Sequence, residues 1–285
     1  MVRRIGLLLL LAALLAAAAW YGRKWWSTGA EFRAPLAALA MPGPEHVGID
    51  CGRLPRGRLM VVLVLGQSNS ANHAQTRAAG GTGVFSWHEG RCYAALDPLP
   101  GASGDGGSLW THLGPAIVSS GAFDAVLFVP LGITSTSVAQ WARHPFLVQR
   151  LTFTVQGLWR AGREITHVVW YQGEADSFKQ TPASEYRRDF AQVLERLRSI
   201  GVAAPIWVAQ ATLCQARSNP AVRKLQARLP HEFAGVRAGP DMDALFGPLH
   251  RYNGCHFSTS SAPLAAQAWL QVLLHSEPAP RVSTP

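Results

Sequence analysis

The apolar positions of the chain fall into short unbroken runs separated by longer stretches of helical periodicity. Residues 60–65 read Met-Val-Val-Leu-Val-Leu and stop abruptly at Gly66-Gln67-Ser68-Asn69-Ser70. A run that is apolar at every position, rather than at alternate ones, fits a strand buried on both faces of a parallel sheet. Similar runs at 125–130, 167–171 and 205–209 predict three more such strands, and 235–237 a short edge strand. Between them lie predicted helices at 110–119, in a region from 137 to 160, from Thr181-Pro182 onward with Tyr186, Phe190, Val193, Leu194 and Leu197 on one face, at 220–229 and at 262–275. Strands alternating with helices predict an α/β fold whose mostly parallel sheet of about five strands is joined by right-handed crossovers. Residues 80–107 and 241–257 are rich in Gly, Pro, Asp and Ser and read as long loops, which are uncommon unless functional.

The N-terminus has a different pattern. Arg3 and Arg4 precede an uncharged apolar stretch, 5–21, followed by Trp25 and Trp26 beside Arg23 and Lys24. The aromatic and basic girdle favours a membrane anchor over a cleaved signal peptide, although Ala17-Ala18-Ala19 suits a peptidase. Residues 1–26 are therefore assigned to a signal-anchor or signal peptide, 27–44 to a linker rich in Ala, Pro and Gly, 45–275 to the folded domain and 276–285 to a disordered tail. The expected location is a membrane-anchored domain exported to the periplasmic or extracellular side, secreted if the segment is cleaved.

The net charge of +9 changes this picture little. The basic residues are dispersed and no nucleic-acid-binding motif appears, so an anionic surface or polysaccharide is a better partner than DNA or RNA. Cys51, Cys92, Cys214 and Cys255 lack C-x-x-C spacing, which argues against zinc. An even count in an exported domain suggests two disulfides. Of three possible pairings, Cys51-Cys92 and Cys214-Cys255 join loops that the expected fold brings to one edge.

In open α/β sheets ligands bind at the carboxyl edge of the strands. Four loops fall there, namely 66–69, 104–108, 172–176 and 253–256. They carry Gly66-Gln67-Ser68-Asn69, Gln172-Gly173-Glu174 and Asn253-Gly254-Cys255-His256-Phe257-Ser258. In this order and spacing the blocks resemble the SGNH hydrolase superfamily, and within it the sialate O-acetylesterase and acetylxylan esterase-like branch. The resemblance covers roughly residues 60–270 and implies a flavodoxin-like three-layer α/β/α sandwich and a serine esterase that removes O-acetyl groups from a carbohydrate, without metal or organic cofactor. A serine hydroxyl needs a general base in reach. His256, in the last loop before the terminal helix, is the best placed of the histidines, with His250 in reserve. By resemblance, Ser68 is the nucleophile, and the oxyanion donors are the N–H of Ser68, the N–H of Gly107 and the side chain of Gln172; Gly106 is the alternative to Gly107. Gln67, Asn69 and Trp141 are expected at the substrate, Trp141 through the segment 132–141 that resembles GGTS-x-x-x-W.

The departure is Asn253, where the branch carries an aspartate three residues before the histidine. Three readings stay open: Asn253 orients His256 through its carbonyl oxygen; Glu174, Asp241 or Asp243 supplies the carboxylate; or the enzyme is weak or dead. The alternative functions are therefore a non-catalytic carbohydrate-binding protein on an inactivated hydrolase fold and a glycan O-acetyltransferase.

Overall fold

The computed structural model describes residues 38–55 and 57–275. The expected anchor at 1–26, most of the linker and the tail lie outside them. Among the described residues no helix is long and apolar enough to cross a membrane.

The chain runs β1 (Gly48–Ile49), β2 (Leu59–Gly66), β3 (Val84–His88), β4 (Arg91–Ala94), α1 (Trp110–Ser119), β5 (Ala125–Pro130), α2 (Val138–Arg143), α3 (Pro145–Arg160), β6 (His167–Tyr171), α4 (Glu174–Phe178), α5 (Ala183–Ser199), β7 (Ile206–Gln210), α6 (Pro220–Glu232), β8 (Val236–Asp241), α7 (Met242–Leu245) and α8 (Ser261–His275). One mixed sheet of eight strands has the order β1-β4-β3-β5-β2-β6-β7-β8. The strands from β3 to β8 in that order pair in parallel, whereas β4 pairs antiparallel with both β3 and β1. This mixed α/β architecture is consistent with the expected SGNH-like hydrolase fold.

The expectation of about five strands is corrected to eight. The five foreseen runs are β2, β5, β6, β7 and β8, and they occupy successive sheet positions. The stretch read as irregular, 80–107, holds the β3–β4 hairpin. Its strands are short, and Glu89-Gly90, both with positive φ, make the two-residue connection that glycine-rich hairpin turns require.

All eight residues of β2 are buried, as a central strand covered on both faces must be. Met60, Val62 and Val64 pack with Trp110, Leu113 and Ile117 of α1 and with Ala265, Trp269 and Leu273 of α8. On the opposite face Trp170 of β6 meets Trp141 of α2 and Phe190 of α5 edge to face. Pro145 divides the predicted 137–160 helical region, because it starts α3 as the first helical residue while α2 ends at Arg143. The sheet is thus clamped between helices, and its carboxyl edge is left to the loops.

Candidate active site

The turn after β2 is forced by two close approaches. Gly66 has φ of +138°, and a Cβ there would lie 2.0 Å from the carbonyl oxygen of Tyr171, so only glycine lets β2 and β6 end side by side. The chain then closes a 3-10 turn, Ser68–Ser70, in which the Ser70 N–H donates to the Gln67 carbonyl and the Ala71 N–H to that of Ser68. The indole N–H of Trp110 donates to the Ser70 carbonyl at 2.8 Å and fixes the turn to α1.

Three buried side chains then lock this turn to its neighbours. Gln67 Oε1 accepts the Ala175 N–H at 2.9 Å and faces the Gln172 amide nitrogen at 3.3 Å. Asn69 Nδ2 donates to Glu174 Oε1 at 2.8 Å and to the Cys255 carbonyl at 3.1 Å. The second bond matters most. It ties the residue after Ser68 to the residue before His256, and so holds together two loops whose serine and histidine stand 188 residues apart in the chain. The Cys214–Cys255 disulfide holds the same loop from its other side.

His256 is partly buried and stacks on His73 with ring centroids 5.1 Å apart. Burial, then His73 and Arg251, push the imidazole down to about 4. The ring is therefore neutral at pH 7 and a weak base. Its Nδ1 lies 2.9 Å from Asn253 Nδ2, while Asn253 Oδ1 accepts the N–H groups of Cys255 at 3.1 Å and His256 at 2.9 Å. These two backbone donors fix the amide: a flip would set N–H against N–H. The reading in which Asn253 offers its carbonyl oxygen to the imidazole is thus corrected, because that oxygen belongs to the backbone. The amide nitrogen donates to Nδ1, and the neutral ring must carry its own proton on Nε2, the nitrogen left for Ser68.

The carboxylates proposed as substitutes are engaged elsewhere. Asp243 accepts the N–H groups of Thr212 and Leu213, and Asp241 pairs with Arg223. Glu174 is buried on Asn69 and is not among the charges acting on His256. Its carboxyl is pushed up to about 7, chiefly by burial and against the hydrogen bond from Asn69.

Two of the three expected oxyanion donors are corrected. The Gly107 N–H donates to the Ala74 carbonyl at 2.8 Å, and the alternative Gly106 N–H to that of Asn72 at 2.9 Å. Gln172 is fully buried, its amide nitrogen within 2.6 Å of Asp176 Oδ2 and 3.0 Å of the Thr136 carbonyl. It braces loops instead of facing substrate. Gly104 fits the role better. It has φ of +93°, a Cβ there would meet Asn72 O at 2.4 Å and His73 Nε2 at 2.7 Å, and its N–H donates to no acceptor among the described residues.

The residues expected at the substrate are as buried as Ser68, itself 3% exposed. Gln67, Asn69 and Trp141 are 3%, 5% and 3% exposed; the Trp141 indole donates to Thr136 Oγ1 and packs on Trp170. They build the site from beneath. The exposed aromatic beside the imidazole is Tyr252, 48% exposed with its ring 6.3 Å from that of His256. Its position one residue before Asn253 was the available signal. Among the described residues no cluster of His, Cys, Asp or Glu is placed to hold a metal ion. A cavity of about 800 Å³ is lined by Trp87, His88, Arg150 and Phe153 among others and includes none of these site residues.

A serine turn and a histidine loop meet at the carboxyl edge of a parallel sheet, the edge where ligands bind in open α/β folds. Residues 104–272 match the family described as carbohydrate esterase, sialic acid-specific acetylesterase, and the chain belongs to that family. The match begins after the Ser68 turn, which the fold alone brings into the site. A probable carbohydrate esterase of Arabidopsis thaliana is 30% identical over 70 residues, 25% of this chain and 27% of that protein, so the alignment spans about a quarter of the curated relative. Among solved structures, the X-ray structure of a protein from Arabidopsis thaliana superposes with a TM-score of 0.61 at 18% identity, covering 76% of this chain and 98% of that one. The crystal structure of NanS gives 0.56 at 12% identity over 76% and 96%.

Proposed function

We propose that the chain hydrolyses O-acetyl esters on a carbohydrate, an O-acetylated sialic acid or a similarly acetylated sugar, through a Ser68 acyl-enzyme. The observation that carries this reading is the Asn69 bridge, which holds the Ser68 turn against the His256 loop. Ser68 Oγ attacks the acetyl carbonyl as its proton passes to His256 Nε2 in the minor tautomer that leaves this nitrogen unprotonated; the oxyanion is held by the N–H groups of Ser68 and Gly104. The bond to the sugar oxygen breaks and that oxygen takes the proton. Water then repeats the sequence on the acetyl-enzyme and releases acetate and free Ser68. Tyr252 offers the sugar a ring face.

With Asn253 as drawn, Nε2 already carries a proton, so this form turns over slowly; in a serine protease the same Asp-to-Asn exchange costs about 10⁴ in turnover. That geometry also favours the second reading, a carbohydrate-binding protein on a silent site. The full chain assayed on an activated acetyl ester and on acetylated sugars, beside Ser68→Ala and Asn253→Asp, separates them. The esterase reading expects weak Ser68-dependent hydrolysis that Asn253→Asp raises; hydrolysis indifferent to Ser68→Ala, or an inactive Asn253→Asp chain that still binds the sugar, overturns it. The apolar segment 5–21 and the two disulfides support an exported, membrane-anchored location.

A further inference from the structure

Asn253 is followed by Gly254, the neighbour that least obstructs attack of a backbone nitrogen on an asparagine side chain; Asn253 is exposed and Gly254 half-buried. The same amide withholds the general base from Ser68. From this coincidence we propose that Asn253 is a modification site whose spontaneous deamidation to aspartate completes the catalytic constellation. The inference rests on the esterase reading for its consequence, but not for the chemistry of the conversion.

The step balances with water as the only co-reactant. The Gly254 nitrogen gives up its proton to solvent and attacks Asn253 Cγ; a carbon–nitrogen bond forms, the bond to Nδ2 breaks, and Nδ2 takes a proton and leaves as ammonia. Water then opens the cyclic imide. Cleavage of the bond between the Gly254 nitrogen and Cγ gives aspartate, and cleavage of the bond between that nitrogen and the main-chain carbonyl carbon of residue 253 gives isoaspartate with a backbone one carbon longer. Nothing is oxidised or reduced.

The loop favours this attack in one respect and resists it in another. Asn253 Oδ1, where negative charge develops as Cγ becomes tetrahedral, already accepts two backbone N–H groups, the donor arrangement that stabilises an oxyanion. Against it, the Gly254 N–H donates to the Arg251 carbonyl at 3.1 Å, and that bond must open first. Conversion is thus slower than in an unfolded chain.

The product fits without rearrangement. One carboxylate oxygen keeps the N–H groups of Cys255 and His256, while the other takes the place of Nδ2, 2.9 Å from His256 Nδ1. A carboxylate only accepts, so Nδ1 must become the donor and the ring proton leaves Nε2, which is then free to take the Ser68 proton. Isoaspartate lengthens the chain between the caps and the imidazole and gives an inactive fraction.

The test follows freshly made full-length chain during incubation in warm, mildly alkaline buffer, with peptide mapping that separates asparagine, aspartate and isoaspartate at 253, and acetyl esterase activity read from the same samples. The expected result is a rise in activity in proportion to the aspartate fraction, towards the level of Asn253→Asp, which is active from the outset and up to about 10⁴-fold above fresh protein. Ser68→Ala should convert at the wild-type pace without gaining activity, and Asn253→Gln should gain none. An Asn253 that stays an amide while the urea-unfolded chain converts overturns the proposal, as does aspartate formation with no gain in activity. If Asn253→Asp is active but wild type never converts, only this inference fails. If Asn253→Asp is itself inactive on every acetyl ester, the esterase reading fails with it.

Discussion

At the scale of single residues the site turns on which groups carry protons. His256 is held down to about 4, burial first, and no carboxylate opposes that shift. The acid limb of the kcat/KM profile for the asparagine form should therefore lie near pH 4. Placing a carboxylate 2.9 Å from Nδ1 stabilises the imidazolium, so Asn253→Asp should move that limb towards the ordinary histidine range, about 6.5, in a pH-rate comparison of the two chains. Glu174 gives a second residue-scale prediction, this time on stability. Its pKa rises on folding from 4.5 to about 7, so its contribution is fully present below about 4.5 and is lost as pH climbs through 7. Glu174→Gln keeps an oxygen for Asn69 and cannot ionise. Its stability should match or trail wild type at pH 5 and exceed it at pH 8, the difference reaching about 3 kcal/mol; equal pH dependence of the two unfolding curves would show that folding leaves the Glu174 pKa unshifted.

At the scale of elements, the loops at the carboxyl edge are braced by side chains that a sequence reader assigns to the substrate. Gln67 links the β2 turn to the start of α4 through the Ala175 N–H, and Gln172 links β6 to the Thr136 segment. Gln67→Ala removes the acceptor from a buried N–H, which costs about 1–3 kcal/mol, and lets the Ser68 turn drift. We expect kcat to fall with little change in KM, whereas a substrate-binding role would raise KM; steady-state kinetics on one acetyl ester distinguishes them. This also marks how far the sequence was legible. The strands β2, β5, β6 and β7 were readable because burial on both faces makes them apolar at every position, and Ser68 and His256 because polar residues stand where those runs and loops end. The β3–β4 hairpin was not, since its strands are four or five residues long and their apolar character is shared with polar Ser86, His88 and Arg91. Nor was the exchange of Gly107 for Gly104. Which glycine N–H remains free depends on the Asn72 and Ala74 carbonyls, contacts between segments some thirty residues apart. Residue type told which groups belong at the edge, but hydrogen-bond bookkeeping between loops decided which of them face the substrate.

At the scale of the whole molecule the two disulfides sit in different mechanical positions although each spans 41 residues. Cys51–Cys92 ties the turn after β1 to β4, the antiparallel margin of the sheet, and no residue of the proposed site lies on either segment. Cys214–Cys255 joins the loop after β7 to the residue whose carbonyl receives Asn69 and whose N–H caps Asn253. Chain entropy gives the two bridges the same weight, about 4 kcal/mol for loops of this length. Their effects on activity should differ. Cys51→Ala/Cys92→Ala should lower the urea midpoint while leaving kcat/KM at 25 °C near that of the parent chain, because its strands are held by sheet pairing once folded. Cys214→Ala/Cys255→Ala should lower the midpoint by a similar amount and also reduce kcat, since the His256 loop then loses its covalent tie to the segment after β7 and rests on hydrogen bonds. Performing both double substitutions in the Asn253→Asp background gives enough activity to measure. Equal losses of kcat in the two variants would mean that the Cys214–Cys255 bridge stabilises the fold without positioning the base; a loss confined to Cys214→Ala/Cys255→Ala would place it among the devices that hold His256 against Ser68.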